Sequence, residues 1–204
     1  MNSSLYKTLE WITRFAYINL LWIFFTIIGG VLLGFFPATT AMFAIIRDWL
    51  QGNNVDPLFT GFWQYYKKDF WKSNRLGAFI VLIVAFITID IFFISTNLNE
   101  VLTWTYIPLF AFMFLFILFL FYIFPAFVNY DLKVIQLIRN SFLIMLVHPF
   151  NSFIIIICLI SCYYIMKLLP ALAFLFGGSI YAFITMWLAL NAFDKVQNRQ
   201  KGNK

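Results

Sequence analysis

Long apolar runs constrain this chain more than any other feature of its sequence. At a rise of about 1.5 Å per residue, a run of about 20 residues reaches the ~30 Å of a hydrocarbon core. Hydrophobic residues fill 63% of the 204 positions and charged residues only 11%, too few charges for a surface that faces water. The sequence therefore predicts an all-α membrane protein with five transmembrane helices, at residues 17–36, 76–96, 104–124, 152–166 and 171–193.

A tripeptide repeats at the ends of two of these runs. Phe36-Pro37-Ala38 closes the first run, and Phe124-Pro125-Ala126 closes the third. Proline lacks the amide N–H that continues a helix, so we expect each tripeptide to end its span. This spacing predicts a tandem repeat of span, Phe-Pro-Ala corner, surface helix and span, followed by one closing helix.

Amphipathic segments separate the spans. Residues 1–15 predict an interfacial helix, residues 37–75 and 126–150 predict cytoplasmic amphipathic helices, and residues 194–204 form a polar, basic tail. Residues 38–50 are expected along the membrane surface, with Arg47 and Asp48 on the polar face. The basic, aromatic stripe in residues 57–75 predicts contact with anionic lipid head groups or docking of a partner, through Trp63, Lys67, Lys68, Lys72 and Arg75.

The distribution of basic residues predicts the orientation. The net charge of +6 comes from basic residues between the spans, so it indicates orientation and not nucleic-acid binding. Parallel repeats would place eleven Lys and Arg residues on the side of the corners and three on the other side. The positive-inside rule then predicts a multi-pass membrane protein with its N-terminus outside and its C-terminus in the cytoplasm. An N-terminus inside would require residues 38–50 to be re-entrant or to cross.

Three residues within the spans are candidates for a specific role. Asp90 is the carboxylate well inside a span, and it predicts either a substrate or ion site or a hydrogen-bonded structural carboxyl near the outer rim. Lys167 and Arg14 are its candidate partners on the outer side. Gly30 and Gly34 have G-x-x-x-G spacing, which allows close helix packing and predicts a homodimer contact, although glycines are common in membrane helices.

Catalytic and cofactor signatures are missing from the sequence. It has no phosphate-binding loop, dinucleotide fingerprint, nucleophile elbow or paired metal-ligand motif. Cys158 and Cys162 lie one turn apart in a span, and His148 is a lone histidine before a proline. We therefore expect no enzyme activity, no cofactor and no metal site. Helix packing is the favoured role of the three asparagines near span ends, Asn19, Asn129 and Asn191.

Several motifs together resemble one family. Residues 19–22 (NLLW) and 34–43 (GFFPATTAMF) are similar to the opening signature of the YesL-like bacterial membrane proteins. Residues 62–70 and 72–73 resemble the cytoplasmic segment of that family, and residues 124–126 and 139–142 (RNSF) resemble its second half. The resemblance covers nearly the whole chain. Asp90 belongs to none of these motifs.

The resemblance implies a link to sugar utilisation. YesL-like proteins often occur beside carbohydrate-uptake ABC transporters and polysaccharide-degrading enzymes, but the family supplies no activity and no functional residues. Two functions follow as expectations. The first is an accessory protein that docks on transporter permease subunits, and the second is a small carrier or channel for a polar solute or ion, with Asp90 lining its path.

Overall fold

The computed structural model describes residues 3–96 and 106–202, with side chains between residues 5 and 195. The turn that the sequence predicts at residues 97–103, with Glu100, lies wholly outside the described residues, as does the start of the third predicted span. The described chain is helical and contains eight helices: α1 Ser3–Ile28, α2 Leu32–Leu50, α3 Leu58–Lys68, α4 Phe70–Thr96, α5 Tyr106–Asn129, α6 Val134–Val147, α7 Pro149–Leu168 and α8 Pro170–Gly202.

Five of the helices are long and apolar enough to cross a membrane, as predicted. They are α1, α4, α5, α7 and α8, and most of their residues face outward rather than into the protein. In a chain with this composition the outward apolar surface is covered by lipid. The predicted tail from Asp194 onward continues α8 as far as Gly202.

The turn between α1 and α2 differs from the predicted corner. The first helix ends at Ile28, and Gly29, Gly30 and Val31 form the turn. Gly30 has a φ of 77°, in the left-handed region that glycine adopts without steric cost. Pro37 lies inside α2, and Pro125 lies inside α5, which continues to Asn129. The prediction that each proline ends a span is therefore wrong, and the two tripeptides occupy non-equivalent positions, near the start of α2 and near the end of α5.

Helices α1 and α2 form an antiparallel hairpin. Near its turn, the Trp22 indole Nε1 donates to Thr39 Oγ1 over 3.0 Å. Near its open end, the rings of Trp11 and Trp49 meet edge to face with centroids 5.7 Å apart. From Ser3 onward, the segment predicted as a separate interfacial helix at residues 1–15 is continuous with the first span.

Helix α2 is the centre of the fold. It contacts α1, α3, α4, α5 and α8, and most of its side chains from Pro37 to Trp49 are buried. Its polar face is buried as well: Thr40 and Ser73 of α4 share a hydrogen bond of 2.8 Å. The prediction that residues 38–50 rest on the membrane surface with an exposed polar face is wrong, because neighbouring helices rather than water cover that face.

The last four helices pack as two further antiparallel pairs. Helix α6 returns along α5, and α8 returns along α7. Asn151 near the start of α7 donates its side-chain amide to the Leu188 carbonyl of α8 over 3.2 Å. The Tyr122 hydroxyl of α5 and the Ser152 hydroxyl of α7 lie 3.0 Å apart and join the two pairs.

Candidate functional site

Charged side chains from four parts of the chain converge at one end of the bundle, which we call the basic end. Its residues come from the last turn of α2, the last turn of α3, the first turn of α4 and residues 127–131, where α5 ends. They surround a cavity of about 220 Å³. Its lining is Ala44, Arg47, Tyr65, Lys68, Asp69, Lys72, Phe127, Val128, Asn129, Tyr130 and Asp131.

A buried ion pair holds the wall of this cavity. Arg47 donates to Asp48 Oδ1 from Nε over 3.1 Å and from Nη2 over 2.8 Å. Its Nη1 also donates to the Val128 carbonyl oxygen of α5. The Tyr65 hydroxyl donates to Asp48 Oδ2 over 2.5 Å. These four groups, Arg47, Asp48, Tyr65 and the Val128 carbonyl, form the polar cluster that ties α2 to α3 and α5.

The polar cluster is largely withdrawn from solvent. The Asp48 side chain is 10% exposed and that of Arg47 is 21% exposed. Burial, and next the hydrogen bond to Asp48, raise the pKa of the Tyr65 phenol above its ordinary value of 10.0. Tyr65 therefore stays neutral at physiological pH and acts as a hydrogen-bond donor.

The predicted docking residues lie on α3 and at the start of α4, and two of them reach the cavity. Lys68 and Lys72 line it, and Lys72 pairs with Asp131 over 3.4 Å. Lys67 lies over the Trp63 ring, with its nitrogen 4.8 Å from the centroid. Arg75 is exposed one turn further along α4. The structure thus places two of the five predicted residues, Lys68 and Lys72, at the cavity. Lys67 instead accompanies Trp63, which stacks against Phe25 of α1.

The residues predicted as sites within the spans, Asp90, Gly30 and Gly34, do not lie at the basic end. Asp90 is exposed on α4 and does not line the cavity at the basic end. Gly30 lies in the turn and has open space where a side chain would be, whereas Gly34 packs against the end of α1. The two glycines therefore do not form one helix face, and the predicted G-x-x-x-G contact reduces to a close approach of Gly29 and Gly34.

The predicted role of asparagine in helix packing is confirmed for Asn19. Its Nδ2 donates to the Phe174 carbonyl over 2.7 Å, and its Oδ1 accepts from the Ser179 backbone N–H over 3.1 Å. Asn129 lines the cavity at the basic end, and Asn191 is exposed on α8. His148 separates α6 from α7.

The sequence did not identify Asp48 and Tyr65 as parts of a site. Arg47 and Asp48 had the pattern of a solvated charged pair at a helix end, and a tyrosine in an aromatic stripe carries no distinctive signal. A charged pair in the last turn of an otherwise apolar helix is the feature that could have indicated a buried cluster.

Both ends of the described chain lie beside the basic end. Arg14 of α1 is 3.6 Å from Asp56 in the connection between α2 and α3. Phe193 of α8 packs on Tyr130 with ring centroids 5.2 Å apart. Residues around Arg14 and the connection after residue 50 thus lie at the same end of the bundle, whereas the predicted orientation with the N-terminus outside required them to lie at opposite ends.

Comparison with known proteins agrees with the sequence motifs that resemble the YesL-like proteins. Residues 15–91 match the family described as "Protein of unknown function, DUF624". The chain is 36% identical to the uncharacterised protein YteU of Bacillus subtilis (strain 168) over 190 residues, which is 92% of this chain and 84% of YteU.

The chain belongs to the YesL-like DUF624 family. Two further relatives from the same organism are also uncharacterised. YesV is 32% identical over 99% of this chain and 98% of its own length. YesL is 30% identical over 95% of this chain and 91% of its own length. No solved structure matches the chain.

The family match covers the parts that build the candidate site. Residues 15–91 include α2, α3 and most of α4, and so contain Arg47, Asp48, Tyr65, Lys68 and Lys72. The DUF624 region therefore contains six of the eleven residues that line the cavity, and the other five follow at residues 127–131.

Proposed function

We propose that this DUF624 protein is a non-enzymatic accessory subunit in the bacterial cell membrane. In this proposal its basic end binds the permease subunits of a carbohydrate-uptake ABC transporter. The supporting observation is the convergence of charged side chains on one open cavity of about 220 Å³, held in place by the polar cluster. The link to sugar uptake rests on the setting in which YesL-like proteins occur.

The cavities favour docking over transport. The cavity with a mainly polar lining lies at the basic end, whereas a larger cavity of about 580 Å³ between the spans is lined almost wholly by apolar side chains. A carrier or channel for a polar solute needs polar or ionisable groups along its path. Asp90, the residue on which that alternative depended, lines neither cavity.

The same end is assigned to the cytoplasm in this proposal. Basic residues accumulate on the cytoplasmic side of membrane proteins, and here they surround the cavity. Because Arg14 and Phe193 both lie at this end, the proposal places the N-terminal and C-terminal parts of the chain in the cytoplasm. The exposed Lys67 and Arg75 then face either anionic head groups or an acidic surface of the partner.

Affinity purification tests this function. The tagged protein is extracted from its host in a mild detergent, and the associated proteins are identified by mass spectrometry. We expect permease subunits in stoichiometric amounts with the wild-type chain. The Lys68→Glu/Arg75→Glu variant should lose them, whereas the control Lys195→Glu, which changes an exposed lysine at the same end, should retain them. Recovery of the chain without permease subunits, or equal recovery with all variants, would refute the proposal.

A further inference from the structure

A cavity of about 340 Å³ lies between α4, α5 and α6. The three helices contact one another around it. Phe112, Leu115 and Phe142, which form part of its lining, are exposed at the outer surface of the protein. Because lipid covers the exposed apolar surface of membrane-spanning helices, this cavity is open to the hydrocarbon of the bilayer.

The cavity extends along the spans away from the basic end. On α5 its lining runs from Phe119 to Phe112, which lie about 14 and 24 Å from Val128 of the basic end by helical rise. On α4 its lining consists of Phe79 and Ile83. An apolar chain in this cavity would therefore point from the basic end into the hydrocarbon core.

One basic residue contributes to the lining. Arg139 of α6 borders the cavity and is exposed. Because the surface inside the cavity is apolar, Arg139 lines it with its methylene stem, and its guanidinium lies at the rim. Arg139 follows Val134, the first residue of α6, by about 8 Å of helical rise. Since α6 begins beside Asp131 of the basic end, Arg139 lies at the end of the cavity that is nearer to the basic end.

A second arginine lies below the same cavity on α4. Arg75, Phe79 and Ile83 are spaced by four residues, so they share one face of the helix. Arg75 is exposed and precedes Phe79 by one turn on the side of the basic end. The two arginines and the apolar lining together have the pattern of a charged rim below an apolar groove.

Neither arginine has an ion-pair partner among the side chains described between residues 5 and 195. Helices α5 and α6 contain no Asp or Glu, and Asp90, the carboxylate of α4, lies about 22 Å beyond Arg75 by helical rise. A guanidinium beside lipid-facing apolar side chains is unfavourable without a counter-charge. We therefore expect an anionic group from outside the chain at this rim.

We propose that this cavity binds an anionic glycerophospholipid, and we call it the lipid site. The phosphate accepts hydrogen bonds from Arg139 and Arg75 at the rim, and an acyl chain lies in the cavity along α5. A guanidinium binds phosphate oxygens through two parallel N–H···O bonds. Basic pockets between membrane-spanning helices are typical sites for the head groups of anionic lipids.

The lipid site goes beyond the docking function and does not depend on it. Its cavity is separate from the one at the basic end, since no residue lines both. Arg75 also belongs to the variant that tests docking, so Arg139 alone carries the test of the lipid site. A chain that binds the lipid but recovers no permease, or the reverse, would separate the two proposals.

Lipid binding to the purified protein tests the site. The protein is stripped of lipid in detergent, and native mass spectrometry counts the bound lipids as phosphatidylglycerol or phosphatidylcholine with the same chains is added. Each arginine should contribute roughly a factor of 5 in affinity, so the wild type should prefer phosphatidylglycerol by roughly 25-fold and Arg139→Gln by only roughly 5-fold. The control Lys195→Gln, which removes an exposed positive charge elsewhere, should keep the wild-type preference. Equal affinity of the wild type for the two lipids, or an unchanged preference in Arg139→Gln, would overturn the proposal.

The role of the acyl chain is tested separately. Leu115→Trp puts a larger side chain into the cavity, so it should weaken the binding of both lipids and leave their ratio unchanged. Glycerol 3-phosphate, which has the phosphate without the chains, should not displace the bound lipid. Displacement at equal concentration, or full affinity in Leu115→Trp, would show that the cavity does not hold the chain.

Thermal unfolding provides a readout that does not depend on the Leu115→Trp variant. A ligand that binds the folded state raises the Tm. Added phosphatidylglycerol should therefore raise the Tm of the wild type and of Lys195→Gln by more than that of Arg139→Gln. Equal increases in all three proteins would refute a role of Arg139 in binding the lipid.

Discussion

Removal of the Asp48 carboxylate is the sharpest test of the architecture around the candidate site. In the folded chain Asp48 accepts hydrogen bonds from Arg47 Nε and Nη2 and from the Tyr65 hydroxyl, over 3.1, 2.8 and 2.5 Å. Asp48→Ala deletes all three at once. It leaves Arg47 with its bond to the Val128 carbonyl and leaves Tyr65 without this acceptor.

The size of the expected fall in Tm follows from the burial of the Arg47–Asp48 pair. Breaking a buried ion pair by removing one partner costs about 3–5 kcal/mol, since the remaining charge stays uncompensated. Arg47 is 21% exposed, so water recovers part of that loss, and we expect about 3 kcal/mol. For a chain of this size 1 kcal/mol shifts the Tm by roughly 2–4 °C. The Tm of Asp48→Ala should therefore fall by roughly 6–12 °C.

Thermal unfolding in detergent, followed by the loss of the monodisperse size-exclusion peak, measures this shift. Asp131→Ala is the matched control, because it removes the carboxylate of the exposed pair with Lys72. An exposed pair contributes about 0–1 kcal/mol, so the control should stay within about 4 °C of wild type. If Asp48→Ala unfolds at the same temperature as Asp131→Ala, the polar cluster does not hold α2 to α3 and α5.

Three further predictions concern pH, packing and orientation. Because the pKa of Tyr65 is raised above 10.0, its hydrogen bond stabilises the fold fully below about pH 10 and is lost as the pH rises through the folded-state pKa. The difference in Tm between wild type and Tyr65→Phe should therefore be constant below about pH 10 and shrink above it. A difference that widens above about pH 10 would contradict this role of Tyr65. Gly34→Val places a side chain against the Gly29 backbone and the carbonyls of α1, so it should lower the Tm by at least as much as Asp48→Ala. Gly30→Asn adds a side chain in open space, at a positive φ that Asn tolerates, and should change the Tm by no more than a few degrees. Reporter fusions at the two termini should both read cytoplasmic, and an external reading at the N-terminus would contradict the proposed orientation.

The spans could be predicted from the sequence, but their ends could not. Hydropathy over a window of about 20 residues reports transfer into lipid, and it located all five long helices. The corner was misplaced because Pro37 has a clear chemical signature, whereas the turn depends on Gly29, Gly30 and Val31, three residues that also occur within membrane helices. Each proline removes one backbone hydrogen bond of its helix, yet α2 and α5 continue through theirs, with both prolines buried among the neighbouring helices.

Only part of the candidate site could be predicted, because some of its contacts join distant parts of the chain. The basic stripe of α3 and α4 is local in the sequence and was predicted from helical spacing. The partners of α2 are distant: Thr40 bonds to Ser73, and Arg47 bonds to the carbonyl of Val128. An amphipathic pattern shows which residues are polar, but it does not distinguish water from a neighbouring helix as the surroundings of the polar face.

The bonds of Asn19 have a consequence for biosynthesis. The amide of this side chain is synthesised within the first twenty residues, yet its partners Phe174 and Ser179 belong to the last helix. Until α8 emerges from the ribosome, the newly inserted α1 carries an unsatisfied amide in an apolar environment. Insertion of the final helix therefore completes the fold, and a chain released before that point retains a polar defect that membrane quality-control proteases could recognise.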